Sequence, residues 1–596
     1  MTCEPPRQSR GLTRRWIGAA PHTASLPENV AGSVPPPPLV QRVLQARGLN
    51  DAEEIARFCE PRLTDLHDPG LMPGIDTAVR RIIDAVRHDE LIAIYGDYDV
   101  DGVTATAILY HTIKTAAPNA RLRTYVPHRL DEGYGINCEA LRQLRNEGVS
   151  VVISVDCGIT AIESANTARE IGLDLIVTDH HSLPAASQLP DAFALVHPRL
   201  PGSSYPFSEL CGAGVAFKVA WRFATAWCNS QRVSAALQQT LINMLPLAAL
   251  GTIADVVPLV GENRILTAFG LRRLRESPLP GLRAIIETSG LAGEHIDSEK
   301  VGFVIAPRLN ACGRMGHAAE AVRMLTDAPP DEALAIARKL AAQNTQRQSV
   351  ERAIFEQAAR MAEDQRMIGS DRRAIVLAHE SWHPGVVGIV CSRLVERFGR
   401  PAILLQRQPD MCKGSARSVD GYSIHEALCA TSRYLQGFGG HAAAAGLTLL
   451  PQDLEAFAEA LIAHANERIA PESLVPAITI DCEATIAELD VVTVMKLQRL
   501  APFGRGNRTP TLCIRGAIMQ DPPKQMGPEG KHLQMRVRQE TDGGIGRMRA
   551  VWWRGAEHAA SMAPGMRLDL AIEPKINEWN GARSVEAELR DVRVCE

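Results

Sequence analysis

The chain has 596 residues, 45% hydrophobic, 22% charged and 5% aromatic, with 64 Lys+Arg against 68 Asp+Glu for a formal charge of −4. This composition excludes the disordered, collagenous and coiled-coil classes, and the total charge alone gives no sign of a nucleic-acid binder. The length predicts roughly three or four domains.

No apolar stretch approaches the ~18 residues of a membrane span. The richest, 241–260, is broken by Asn243, Pro246, Asp255 and Pro258. The 13 cysteines, odd in number and without a C-x-x-C pair, fit reduced thiols in a cytoplasmic protein better than disulfides or structural zinc. Arg14-Arg15 is followed by no adequate apolar run, which argues against export.

Residues 1–40 are rich in Pro, Ser and Arg and read as a flexible tail ending in a stiff run of four prolines. Short helices are expected over 41–87. Apolar runs at 91–95, 122–126, 149–155, 174–178 and 193–196 then alternate with helical segments such as 104–115 and 159–171, predicting a parallel α/β sheet. A helical connector is expected over 265–370, with a long helix at 332–360, followed by a second, smaller α/β lobe over 371–470. Short strands after 471, at 533–538, 548–553 and 567–572, predict a C-terminal β-barrel of the oligonucleotide-binding (OB) kind. The first sheet then belongs to a domain over 41–264.

Carboxylates and imidazoles follow the strands of the first sheet. Gly96-Asp97-Tyr98-Asp99-Val100-Asp101-Gly102 follows the first, Asp156-Cys157-Gly158 the third and Asp179-His180-His181 the fourth; Asp255 lies in Gly251-Thr252-Ile253-Ala254-Asp255. Strand C-terminal ends form the ligand crevice of such sheets, so these residues are expected to converge. Asp and His ligands without cysteine suit Mn²⁺ or Mg²⁺, and a shared carboxylate suits a binuclear site for phosphoester chemistry. A calcium loop is the bland alternative, but position 12 counted from Asp97 is Ile108, where a bidentate acid is needed.

In order and spacing these motifs resemble the DHH phosphoesterase family, and within it the single-strand-specific 5′→3′ DNA exonucleases. The resemblance extends to Pro127-His128-Arg129-Leu130-Asp131-Glu132-Gly133, Leu210-Cys211-Gly212-Ala213-Gly214, Pro307-Arg308-Leu309-Asn310-Ala311-Cys312-Gly313-Arg314, Trp382-His383-Pro384-Gly385, Gly414-Ser415-Ala416-Arg417-Ser418, Gly439-Gly440-His441 and Ala501-Pro502-Phe503-Gly504-Arg505-Gly506-Asn507. It departs at Arg508, where the family pattern has proline.

The resemblance implies two metal ions held by Asp99, Asp101, Asp156, His180 and Asp255, with Asp156 as bridge, and with Asp97 and His181 ligating or acting one step removed. It implies hydrolysis by ion-activated water, releasing 5′-mononucleotides in recombination and repair. Arg129, Ser415 and Arg417 would hold the terminal phosphate, Arg314 the neighbouring one and His441 the scissile one, with Asn310 a further substrate-binding residue. It further implies single-stranded DNA on the barrel, a single-strand binding protein and a recombination helicase as partners, no membrane association, and a monomer. Two other readings compete: a phosphodiesterase of short oligoribonucleotides or cyclic dinucleotides, and a non-catalytic scaffold of a replication or repair complex. The barrel speaks against the first and the complete set of acidic and histidine motifs against the second.

Overall fold

The computed structural model describes residues 8–18, 36–128, 132–133, 135–184, 188–541 and 544–595. The chain divides into two compact units: Glu60–Gln348 with Ala501–Arg508, and Met1–Cys59 with Ser349–Leu500 and Thr509–Glu596.

The first unit is built on five parallel strands in the spatial order Leu122–Tyr125, Leu91–Gly96, Val149–Val155, Asp174–Thr178, Ala194–Val196. Their aliphatic, β-branched runs are buried nearly throughout, as a sheet covered on both faces requires. In sequence terms the order is 2-1-3-4-5, which places the switch point between Leu91–Gly96 and Val149–Val155 and opens the crevice at their C-terminal ends. Helices Val100–Ala116, Gly212–Trp227 and Ala235–Ala254 pack together beside it, supplying Val103, Ile108, Val215, Phe223, Leu247 and Leu250 to the core. Because Val100–Ala116 is helical and buries Ile108, the calcium-loop alternative is excluded.

The expected helical connector is corrected. Helices Gly261–Leu274, Pro280–Thr288, Ala306–Met315 and Ala319–Thr326 send Leu274, Ile285, Leu309 and Val322 into the same core as the sheet, and Pro330–Asp364 adds Ala333, Ala337 and Leu340. Their apolar faces are too wide to remain uncovered, so this stretch is part of the first unit up to Gln348.

In the second unit, five strands run in the order Gly437–Gly440, Ala444–Leu449, Cys412–Arg417, Ala402–Arg407, Ile375–His379. The last two are parallel and the rest antiparallel. The C-terminal barrel follows the circuit Leu512–Met519, Arg567–Trp579, Ala582–Val594, Gly544–Trp552, His532–Thr541, and closes where Ile518 and Met519 pair with Arg538 and Val537.

The tail reading is also corrected. Gln8–Arg10 and Arg15–Gly18 form a hairpin whose second strand pairs in parallel with Ala477–Ile480. The backbone N–H groups of Thr13 and Arg14, the Thr13 hydroxyl and the Trp16 indole all donate to the buried Asp591 carboxylate, so this stretch is a sequence-distant part of the barrel's surroundings. The rest of the expected tail, 1–7 and 19–35, lies outside the described residues, and Pro38 opens helix Pro38–Ala46, the position where a missing N–H costs nothing.

Candidate metal centre

Asp97, Asp99 and Asp101 enter the crevice because the first strand ends at Gly96 and the next helix begins at once. Asp99 caps that helix, accepting from the N–H groups of Asp101 and Gly102 at 2.9 and 3.1 Å. Asp101 sits in its first turn and accepts from the Gly212 and Ala213 N–H groups, at 2.6 and 2.8 Å, which are the opening amides of helix Gly212–Trp227. That helix starts within touching distance of the third strand's loop: a Cβ on Gly212 would lie 2.5 Å from the Asp156 Cβ, so only glycine fits. Asp156 itself holds a left-handed backbone at φ +62°, a strained state for a residue with a side chain.

Three overlapping groups of possible ligand atoms result, of which two are Asp97 with Asp99 and Asp156, and Asp101 with His180 and Asp255, while the third joins Asp156 to Asp179, His180 and His181. The atoms of each group lie within 4.8 Å of one another. The Nε2 of His180 stands 3.0 Å from Asp156, 3.6 Å from Asp255 and 3.8 Å from Asp101. Asp156 therefore belongs to two of the groups and lies beside His180 of the remaining one. His180 Nε2 is buried yet makes no hydrogen bond, so a neutral imidazole aims its nitrogen at three carboxylates. Burial and the adjacent His181 charge push its pKa down to about 3. This donor set of oxygens and one imidazole nitrogen, with an unpartnered buried atom at its centre, fits a hard or borderline divalent cation.

The carboxylates titrate abnormally in the absence of a cation. Burial, then the charge of Asp99, pushes Asp101 up to about 6; burial, then Asp101 and Asp99, pushes Asp255 up to about 8. Asp156 is raised well above the ordinary carboxylate range by burial and its acidic neighbours.

Asp179, one residue ahead of the histidines, had no assigned role in the sequence reading. Its carboxylate receives four donors: the N–H groups of Ile159, His180 and His181, and His181 Nδ1 at 2.8 Å. Burial opposes its ionisation, but the His181 hydrogen bond and charge hold its pKa below the usual range. In return, Asp179 lifts His181 to about 9 against the burial that would discharge it. Asp179 thus orients a cationic imidazole. The available signal was an acid directly before two histidines at a strand end.

The remaining candidate residues fall in two places. Asn310 and Arg314 are in the first unit, on helix Ala306–Met315, where Asn310 Oδ1 accepts the Val100 N–H at 3.1 Å and so braces the start of the helix carrying Asp101. Arg129 lies outside the described residues. Ser415, Arg417 and His441 are in the second unit. Ser415 and Arg417 alternate onto one face of their strand, against Gly388 on helix Pro384–Phe398, and His441 is an exposed residue just after strand Gly437–Gly440.

Family models match the chain in three stretches: the N-terminal domain of the DHH family over residues 91–252, the DHHA1 domain over 371–467 and the RecJ OB domain over 480–591. Among curated proteins it is 38% identical to the single-stranded-DNA-specific exonuclease RecJ of Bacillus subtilis, over 94% of this chain and 68% of that one. With RecJ of Salmonella typhimurium it shares 32% identity over 98% and 99% of the two chains. The crystal structure of Thermus thermophilus RecJ in complex with Mn²⁺ superposes with a TM-score of 0.79 at 30% identity, covering 98% of this chain and 80% of that one; the Mg²⁺ complex gives 0.73 at 29%, covering 98% and 78%. Among the described residues no helix is long and apolar enough to cross a membrane. The chain belongs to the RecJ family of single-stranded-DNA-specific exonucleases.

Proposed function

We propose that this chain is a divalent-metal-dependent exonuclease that degrades single-stranded DNA from its 5′ end to mononucleotides, in recombination and repair. The carrying observation is the buried, hydrogen-bond-free His180 nitrogen among the Asp101, Asp156 and Asp255 carboxylates.

Asp97, Asp99, Asp101, Asp156, His180 and Asp255 would hold two Mn²⁺ or Mg²⁺ ions, Asp156 being within reach of both. Bound there, the ions would supply Lewis acidity at phosphorus. The chain's own groups do the rest. Asp179 keeps the His181 imidazole protonated and aimed, so His181 donates to a phosphate oxygen as negative charge builds up. Asn310 fixes the loop bearing Asp99 and Asp101. In the first unit Arg129 and Arg314 are read as phosphate-gripping arginines, their forks suited to bidentate contact, and in the second unit Ser415, Arg417 and His441 are read as further phosphate contacts.

On the barrel, the strand register supports reading one face as the polymer-binding one. Arg536 pairs with Arg549 and Arg538 with Arg547; Arg549 pairs across with Glu586, Glu586 with Lys575, and two steps of two along that hairpin bring Asn577 and Trp579 to the same side. Trp579 is 74% exposed at the hairpin tip and Trp552, by contrast, is buried. A row of arginines, with Glu586 among them paired to Arg549, that ends in an open indole suits a sugar–phosphate backbone with a stacked base. A single-strand binding protein and a recombination helicase are the protein partners this activity would serve, and a cytoplasmic monomer is its expected setting.

The test is a Mn²⁺ and Mg²⁺ titration of degradation on 5′- and 3′-labelled single strands, blunt duplex and RNA in parallel. The reading expects loss from the 5′ end of single-stranded DNA; faster attack on duplex would sink it.

A further inference from the structure

The segment Ala501–Arg508 is joined in sequence to the C-terminal barrel's first long strand, yet it packs into the unit that carries the acidic cluster. It is a compact turn. Gly504 and Asn507 exchange backbone hydrogen bonds, and the buried Asn507 side chain donates to the Pro502 carbonyl at 2.7 Å.

What the turn holds is the corner after Asp255. The Leu259 N–H donates to the Arg505 carbonyl at 2.7 Å, and Arg505 Nη1 donates to the Val256 carbonyl at 3.4 Å. Arg264 and Ser298 donate to the carbonyls of Ala501 and Phe503 at 3.0 and 2.5 Å. Gly506, at φ +74°, lies so close that a Cβ there would stand 3.0 Å from the Cβ of Pro258.

That corner needs holding. Asp255 is the C-cap residue of helix Ala235–Ala254, where the chain has just left the helix. Its successor Val256 takes φ +58° while 59% exposed, a left-handed conformation that a β-branched residue strongly disfavours. Strain of this kind persists only where surroundings impose it. Asp255 also has a side chain 25% exposed, against 1% for Asp101 and 4% for Asp156, so packing fixes it least.

We infer that the Ala501–Arg508 turn is a positioning element of the metal centre, clamping the Asp255–Val256 corner so that the Asp255 carboxylate stays aimed at the cation. Arg505, through its carbonyl and guanidinium, is the principal positioning residue, with Asn507 and Gly506 keeping the turn in shape. The inference rests on reading Asp255 as a metal ligand.

The experiment is calorimetric titration of the full, chelator-stripped chain with Mn²⁺ alone, for wild type, Asp255→Ala, Arg505→Ala, Gly506→Ala, Asn507→Ala, and Asp591→Ala as a destabilised control remote in role. Loss of a group that orients a ligand typically weakens metal binding about 10–100-fold. The turn variants should show a weakening near the lower end of that range, Asp255→Ala a larger one, and Asp591→Ala none despite its lower melting temperature. Arg505→Lys should recover part of the loss through a single donor. If Gly506→Ala fails to fold, Arg505→Ala and Asn507→Ala carry the test. Wild-type isotherms in both of these, with Asp255→Ala weakened, overturn the clamp. A wild-type isotherm in Asp255→Ala overturns the ligand assignment beneath it.

Discussion

Asp591 and the Asp101–Asp156–Asp255 cluster are both buried carboxylate environments, and they differ in what surrounds the oxygens. Asp591 receives four donors from residues 13–16 and leaves nothing for a cation to do. Asp101 receives two backbone amides, and Asp156 and Asp255 face one another, Asp101 and an imidazole nitrogen that makes no hydrogen bond. Burial of an acid is therefore not itself a mark of metal binding. The mark is burial with acceptors left over, because an uncompensated buried charge is too costly to stand without an ion or a proton.

That contrast can be broken at its strongest point first. Asp156→Ala should cut nuclease turnover by at least about 1000-fold, since transition-state charge stabilisation of several kcal/mol is removed. A chelator should abolish wild-type activity and excess Mn²⁺ restore it. Single-turnover degradation of a 5′-labelled strand measures both.

Next is the pH dependence of the cluster. Asp101 and Asp255 keep protons to about 6 and about 8 in the folded, ion-free chain, whereas an unfolded carboxylate loses them near 4. The folded state then binds more protons than the unfolded one across this window, so ion-free stability falls as pH rises through it. A cation must displace those protons, so Mn²⁺ affinity should climb by about tenfold per unit for each proton released. Melting temperatures with and without Mn²⁺ between pH 5.5 and 8.5 should diverge as pH increases; a constant gap would show that the carboxylates are not coupled to the ion.

Asp591→Ala should destabilise the barrel by on the order of 3 kcal/mol, as four donors lose a charged acceptor, while leaving the Mn²⁺ isotherm unchanged. Denaturant unfolding followed by tryptophan fluorescence reads this. The smallest effect is expected at the barrel face: Trp579→Ala should weaken single-strand binding by about tenfold, one stacked base's worth, with Trp579→Phe retaining most of the affinity in an anisotropy titration.

The sequence made the crevice legible because apolar strands followed immediately by Asp or His have few other uses, and Asp97, Asp99, Asp101, Asp156, His180, His181 and Asp255 do come together. What it hid is instructive. The pairing of Asp101 with the Gly212 and Ala213 amides uses backbone atoms, which carry no letter in the sequence. Asp179 was visible as a motif member but not as the partner that charges His181, since that depends on ring orientation. The helices after 264 read as a connector because periodicity reveals an apolar face without revealing what it meets. Residues 13–16 read as part of a tail because the partner of Thr13, Arg14 and Trp16 is Asp591, far beyond any local pattern.

That last tie sets an order for the making of the protein. Thr13 and Asp591 are 578 positions apart, and at ~5–20 residues per second the earliest hairpin emerges roughly half a minute to two minutes before its acceptor is synthesised. Until then Trp16, buried in the finished fold against Ile480, Cys513 and Ala571, lacks its acceptor, so a nascent chain carries an unsatisfied indole N–H until Asp591 has been made.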